Sequence, residues 1–189
     1  MKKWALAASV ALLTACSAPQ QAQIDFHPKA TLSHSSPTKH TTYNLVSRDL
    51  RSAQYVALVD SGHSHIEPIH ARQNFRIALE TALQDQLASQ GLETSVNSKN
   101  TITLEIQDAL INVKHSVISN GIKAHVVLAL TAETPQGKLV KTYTSKAQRS
   151  GAFSASQQDI EIVLNDTVNL ALKEIANDQE LQHYIQERF

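Results

Sequence analysis

From Thr42 onward, apolar positions recur in two rhythms that alternate along the chain. TYNLVS (42–47) and QYVALVD (54–60) carry β-branched and aromatic residues at period two, and both are expected to be strands. RDLRS (48–52) separates them. After His70 the period lengthens. Phe75, Ala78, Leu79, Ala82, Leu83 and Leu87 form one stripe at helical spacing, and Gly91 is a natural stop, because glycine accepts the left-handed conformation beyond a last turn. The helix is expected to begin near Ala71.

Period two returns in TITLEIQDALINVKH (101–115). Ile102, Leu104 and Ile106 share one face, but Ala109, Ile111 and Val113 occupy odd positions, so the phase slips. A bulge near Asp108 would restore a common face. SVISNG (116–121) ends in the hairpin-favouring pair Asn120-Gly121. IKAHVVLALTAE (122–133) and KLVKTYTSKAQR (138–149) follow, joined by TPQG (134–137). These three strands make an antiparallel meander. Ser156 and Asp159 have capping-box spacing ahead of a stripe of Ile160, Val163, Leu164, Thr167, Val168, Ala171, Leu172 and Ile175. NDQ (177–179) interrupts it before a short final helix. The pattern predicts an α+β domain over 42–189: an antiparallel sheet of about five strands, including the meander, with two long helices packed on one face.

The region before Thr42 has a different character. MKKWALAASVALLTAC opens with Lys2 and Lys3 and continues in an uncharged, mostly apolar run that is too short for a stable membrane span. It ends in LTAC, Leu13 to Cys16. That is the layout of a secretory leader over 1–15, and the terminal four residues resemble the lipobox of bacterial lipoproteins. Small residues fit the peptidase cleft, and the Cys16 thiol takes up diacylglycerol. Cys16 is also the sole cysteine. No intrachain disulfide can form, and lipidation explains an unpaired thiol in an exported chain. Several acyl chains hold a protein on a membrane stably. Ser17, where an inner-membrane lipoprotein commonly carries aspartate, points to the periplasmic face of the outer membrane. Residues 16–41, rich in Ser, Thr, Gln, His and Pro, are expected to be the lipidated N-terminus and a tether. Ile24 and Phe26 break its polarity and could dock as a short extended piece.

Charge adds an exclusion. The chain balances 17 basic against 17 acidic side chains, and removing Lys2 and Lys3 with the leader leaves 15 against 17. A near-neutral chain has no electrostatic footprint for nucleic acid.

Candidate chemistry centres on GHSHIEPIH (62–70). His63, His65 and His70, with Glu67, are the ligand types that zinc or copper takes. Gly62, Ser61 and Ser64 make it a loop, and a tight site needs rigid elements aimed at one point. Asp49 between Arg48 and Arg51 either binds an anion or seats a carboxylate–guanidinium pair. Glu105, Asp108, Lys114 and His115 lie along one strand without defining a dyad, and His125 sits among apolar residues. In SGAFSAS (150–156), Gly151 would permit a bend, Phe153 would staple the helix entry, and Ser154 or Ser156 would cap it; that helix N-terminus could also attract an anion. No GxSxG elbow occurs. No catalytic, cofactor or metal residue is assigned, and Cys16 is the one functional residue named.

FRIALETALQDQLASQGL (75–92), SGAFSASQQDI (150–160) and VLNDTVNLALKEIANDQELQHYI (163–185), with RDLR (48–51), resemble the YajG family of bacterial lipoproteins over most of the mature chain. The resemblance implies an outer-membrane lipoprotein of uncharacterised function, with only Cys16 carried over and no histidine-rich segment at 60–70. The expectation is a non-catalytic interaction or envelope-assembly module without cofactors, held on the membrane through Cys16 and bound to an envelope protein or the cell wall. The alternatives are a metal-binding or hydrolytic enzyme using the His63/His65/His70 loop, or a lipid carrier.

Overall fold

The computed structural model describes residues 22–33, 41–62 and 65–189. The leader, Cys16 and His63 lie outside them. Eleven elements follow one another: β1 (Gln23–Ile24), β2 (Thr41–Asp49), β3 (Tyr55–Asp60), β4 (Ile66–Ala71), α1 (Phe75–Ser89), β5 (Leu92–Thr94), β6 (Thr101–His115), β7 (Ser119–Thr134), β8 (Gly137–Ala152), α2 (Gln157–Asn177) and α3 (Gln179–Arg188).

The meander β6–β7–β8 forms as its alternation dictates. The phase slip is a bulge: the register steps between Ile106 and Asp108, leaving Gln107 as the extra residue. Ile102, Leu104, Ile106, Ala109, Ile111 and Val113 therefore all face the core, opposite Ile122, Ala124, Val126, Leu128 and Leu130. The first hairpin turns at Ser116–Ser119, earlier than expected. The Ser116 N–H donates to Ser119 O at 2.8 Å, and Asn120-Gly121 already pairs with His115 and Lys114.

The sheet is mixed and eight-stranded rather than antiparallel with about five strands. β2 and β3 run in one direction, end to end along the free edge of β6. β2 pairs parallel with 101–106 and β3 parallel with 111–114. Residues 50–54 bow outward between them instead of reversing the chain, which is why two adjacent strands are not a hairpin. Parallel pairing needs a long crossover, and the return through β4 and α1 supplies it. β4 lies in the stretch expected to be the histidine loop. It is a strand antiparallel to β3, and Pro68, which lacks an N–H, lies ahead of the two β4 residues that β1 pairs.

Three helices, rather than two, accompany the sheet. α1 starts at Phe75 instead of near Ala71, because the Asn74 side chain accepts the Ile77 N–H as its cap. It ends before Gly91, whose φ is +92°. α2 opens with the expected box: Ser156 caps Asp159, and Asp159 accepts the Ser156 N–H. Asp178 ends α2 and caps α3, accepting from the Leu181 N–H at 3.0 Å and the Tyr143 hydroxyl at 2.9 Å, with the Lys141 Nζ at 3.2 Å. Burial alone would raise its pKa. These donors outweigh burial and hold the carboxyl below the usual range. Among the described residues no helix is long and apolar enough to cross a membrane.

Candidate functional site

Two places in the fold bring functional groups together: a strap in the groove between α1 and α2, and the end of the molecule away from which that strap runs. Residues 22–33 form the strap. Its residues Gln23 and Ile24 pair parallel with His70 and Ala71. Ile24 and Phe26 are fully buried, so the extended piece expected there docks. The chain then runs along α2 with its backbone donors read by side chains. The Asp25 N–H donates to Glu161 Oε1 at 2.9 Å, the His27 N–H to Asn165 Oδ1 at 2.8 Å and the Lys29 N–H to Asn169 Oδ1 at 2.7 Å. Residues at i, i+4 and i+8 lie in line on one helix face, so α2 presents a row of acceptors matched to alternate residues of an extended chain. α1 continues the row, with Thr31 donating to Gln86 Oε1 and Ser33 to Ser89 Oγ. Buried Gln86 also donates to Leu172 O on α2, so one amide joins the strap and both helices. Pro28 has no donor to satisfy.

Beneath the strap, the Phe26 ring stacks on Phe75 with centroids 4.0 Å apart, and the Arg51 guanidinium lies 4.4 Å from the Phe75 centroid. Arg51 holds Asp49 in a two-pronged contact, Nε to Oδ1 at 2.9 Å and Nη2 to Oδ2 at 2.8 Å, and only 4% of its side chain is exposed. Burial tends to raise the Asp49 pKa. The Arg51 hydrogen bonds and charge outweigh burial and hold it below the usual carboxylate range. Of the two roles open to RDLR, the structure therefore builds the ion pair. Arg48 turns instead to Glu105, at 3.6 Å. A cleft of about 410 Å³ opens beside the 50–54 bow and the Gln107 bulge.

The histidines do not converge in the described residues. His65 precedes β4 and is exposed, while His70 lies in the strand between β1 and β3. Glu67 and His70 are three apart within β4 and so face opposite sides of the sheet. Among the described residues no group of three His, Cys, Asp or Glu side chains is placed to hold a metal ion. Other candidates are separated into pairs. Asp108 meets His125 at 2.9 Å on a half-exposed face, where the β8 neighbour of His125 is Lys146. His115 accepts the Ala155 N–H at 3.1 Å through Nε2, a structural contact at the entry to α2.

The segment 150–156 departs from expectation at two residues. Gly151 is no bend. It pairs with Asn120, and a Cβ there would meet the Asn120 amide at 3.0 Å. Phe153 does not staple the helix. It is 74% exposed, at φ +60°, with its N–H donating to Ile118 O at 3.1 Å. The row Glu161, Asn165 and Asn169 is absent from the sequence-based expectations, although its four-residue spacing beside the apolar stripe of α2 is a legible signal.

An α+β domain with a curled mixed sheet, one helical layer and an N-terminal strap clamped by that layer defines the class. The family of uncharacterised lipoproteins designated Lipoprotein_16 matches residues 28–186, and the chain belongs to that family. It is 22% identical over 178 residues to the uncharacterised lipoprotein YajG of Escherichia coli strain K12, covering 93% of this chain and 92% of that one. The fold is similar to the crystal structure of protein XCC0632 from Xanthomonas campestris, with a TM-score of 0.56 at 9% identity, covering 84% of this chain and 95% of that one. A minor lipoprotein from Acinetobacter baumannii aligns with a TM-score of 0.42 at 16% identity, over 74% of this chain and 93% of that one.

Proposed function

We propose that the chain is exported, cleaved before Cys16, acylated there and held on the periplasmic face of the outer membrane. In that setting it works as a non-catalytic module that captures an envelope protein. The unpaired edge of β8 carries this reading. β8 is 16 residues long and, among the described residues, pairs only with β7. A free edge offers a row of backbone donors and acceptors to an extended segment of a partner. β8 contains Lys138, Lys141, Lys146 and Arg149 and no acidic residue; Lys141 pairs with Asp178 and Glu180 and Arg149 with Asp159, so Lys138 and Lys146 carry the charge offered to a partner. Like charges disfavour pairing with a second copy of the same edge and favour a partner strand bearing carboxylates. The polar contacts described above join elements of the fold to one another, which supports a binding role over a catalytic one.

A photo-crosslinking side chain placed at Thr142 of the full-length protein in living cells tests the edge. A discrete adduct from Thr142 and none from exposed Gln84 on α1 is the expected result. Recovery of the bait alone under several growth conditions overturns it. Mass spectrometry of the Cys16 peptide tests the anchor, and an unmodified thiol on unattached protein refutes that part.

A further inference from the structure

We propose that the end of the domain formed by Val117, Ile118 and Phe153 inserts into the lipid surface that holds the chain. The inference rests on the reading of Cys16 as acylated. Three observations support it.

The first is exposure. Val117 is 96% exposed, Ile118 76% and Phe153 74%. They sit on two adjoining loops, the β6–β7 turn and the start of the β8–α2 connection. The loops are joined by the Phe153 N–H to Ile118 O bond and by Asn120 Nδ2, which donates to Phe153 O at 2.9 Å. The three exposed side chains therefore project from one joined pair of loops, an apolar tip, rather than from scattered segments. Apolar side chains that project from hairpin and loop residues suit a bilayer interface, where binding scales with the apolar area buried.

The second is the backbone of Phe153. A bulky side chain at φ +60° is an outlier that persists only where surrounding contacts hold it. The contacts just named are those restraints. Their effect is to keep an aromatic ring pointing out of the domain, where a strain-free loop could fold it back.

The third is the direction of the strap. β1 runs parallel to β4, and β4 begins at Ile66, paired with Asp60, which in turn pairs with Lys114 one residue before the end of β6. The strap thus runs away from the end where the tip lies, with Gln23 paired to His70, four residues along β4 from Ile66. Gln157 Nε2 donates to Gln23 O at 2.6 Å, and Gln157 is four residues beyond Phe153. Only residues 17–21 separate Cys16 from Ala22, the first residue described. Six residue steps reach at most about 20 Å. An acylated Cys16 therefore keeps the domain close to the membrane with this end nearest it.

Single-tryptophan proteins test the proposal. Trp4 is the sole tryptophan, and Trp4→Phe leaves none. Phe153→Trp then places one at the tip. Val96→Trp places one at an equally exposed apolar site beyond the start of β6, the length of that strand away; Val96 is 85% exposed. Each full-length protein is purified from membranes and reconstituted in phosphatidylethanolamine–phosphatidylglycerol vesicles with brominated acyl chains. The expected result is blue-shifted emission at position 153 with at least about twofold quenching, and no quenching at position 96. Equal quenching at both sites, or none at 153, overturns the proposal, including the case in which a protein partner covers the tip. The mass of the Cys16 peptide in the same preparation judges the anchor separately. An unmodified thiol with quenching at 153 on adding vesicles upholds the tip and refutes the anchor. An unmodified thiol without quenching refutes both.

Discussion

The strap at 22–33 and the histidine stretch at 62–70 are both short, polar segments ahead of regular structure, and the fold treats them in opposite ways. The strap looked like a tether and is part of the domain. The histidine stretch looked like a site, yet its described residues divide between an exposed turn and a strand. Composition did not separate the two. Two buried side chains did, Ile24 and Phe26, together with a row of acceptors on α2 whose spacing fits an extended backbone. A segment is held when its apolar groups find a cavity and its N–H groups find partners in the same place. Ligand-type residues without such support stay in solvent.

The sharpest way to break this contrast is Phe26→Ala. It removes the ring stacked on Phe75 and should cost about 3–5 kcal/mol, seen in thermal or denaturant unfolding. It should also release the strap, so that protease cuts between 25 and 33 in the native state. Asp49→Asn comes next. It leaves Arg51 buried beneath Phe75 without its counter-charge and should cost about 3 kcal/mol at neutral pH. Its pH dependence follows from the lowered Asp49 pKa. A depressed folded value gives stability that is present above the unfolded value of about 4 and lost as pH falls through the folded value. The gap between wild type and Asp49→Asn should therefore be constant near neutrality and close in acid, below about pH 4. A gap that persists unchanged into acid would refute the ion-pair role.

Asn165→Ala removes the acceptor of the His27 N–H together with the Nδ2 donor to Asp25 O and should cost about 1–2 kcal/mol, and Asn169→Ala, which removes only the acceptor of the Lys29 N–H, about 1 kcal/mol. Amide exchange at His27 and Lys29 respectively should accelerate, while exchange in β6 stays unchanged. His65→Ala should have the smallest effect, within about 0.5 kcal/mol, and zinc should shift the melting temperature of neither protein. A zinc-dependent rise in the wild type that His65→Ala abolishes would reverse the comparison.

Much of the fold was legible because it is local. The bulge near Asp108, the TPQG turn, the capping box at Ser156 and the stop at Gly91 each follow from residues within a few positions of one another. The mixed sheet was not, because the pairing of β2 and β3 with β6 joins residues more than 50 apart. Nothing in RDLRS distinguishes an outward bow from a reversal. The Asp49–Arg51 pair was legible as one of two options, and burial decided between them. Phe153 departs from expectation because an aromatic residue ahead of a helix usually packs on it. Its positive φ arises from contacts with Ile118 and Asn120, which no adjacent residue reveals.

One consequence of the strap concerns force. Residues 25, 27 and 29 follow 161, 165 and 169 in the same direction, so strap and helix run side by side along one axis. A pull on the chain upstream of Gln23 loads these contacts along their common length, in shear, and they resist together. The same contacts pulled from the side would open one at a time like a zip. The strap is thus oriented as a mechanical joint, able to pass tension from its N-terminal end into the helical layer without peeling.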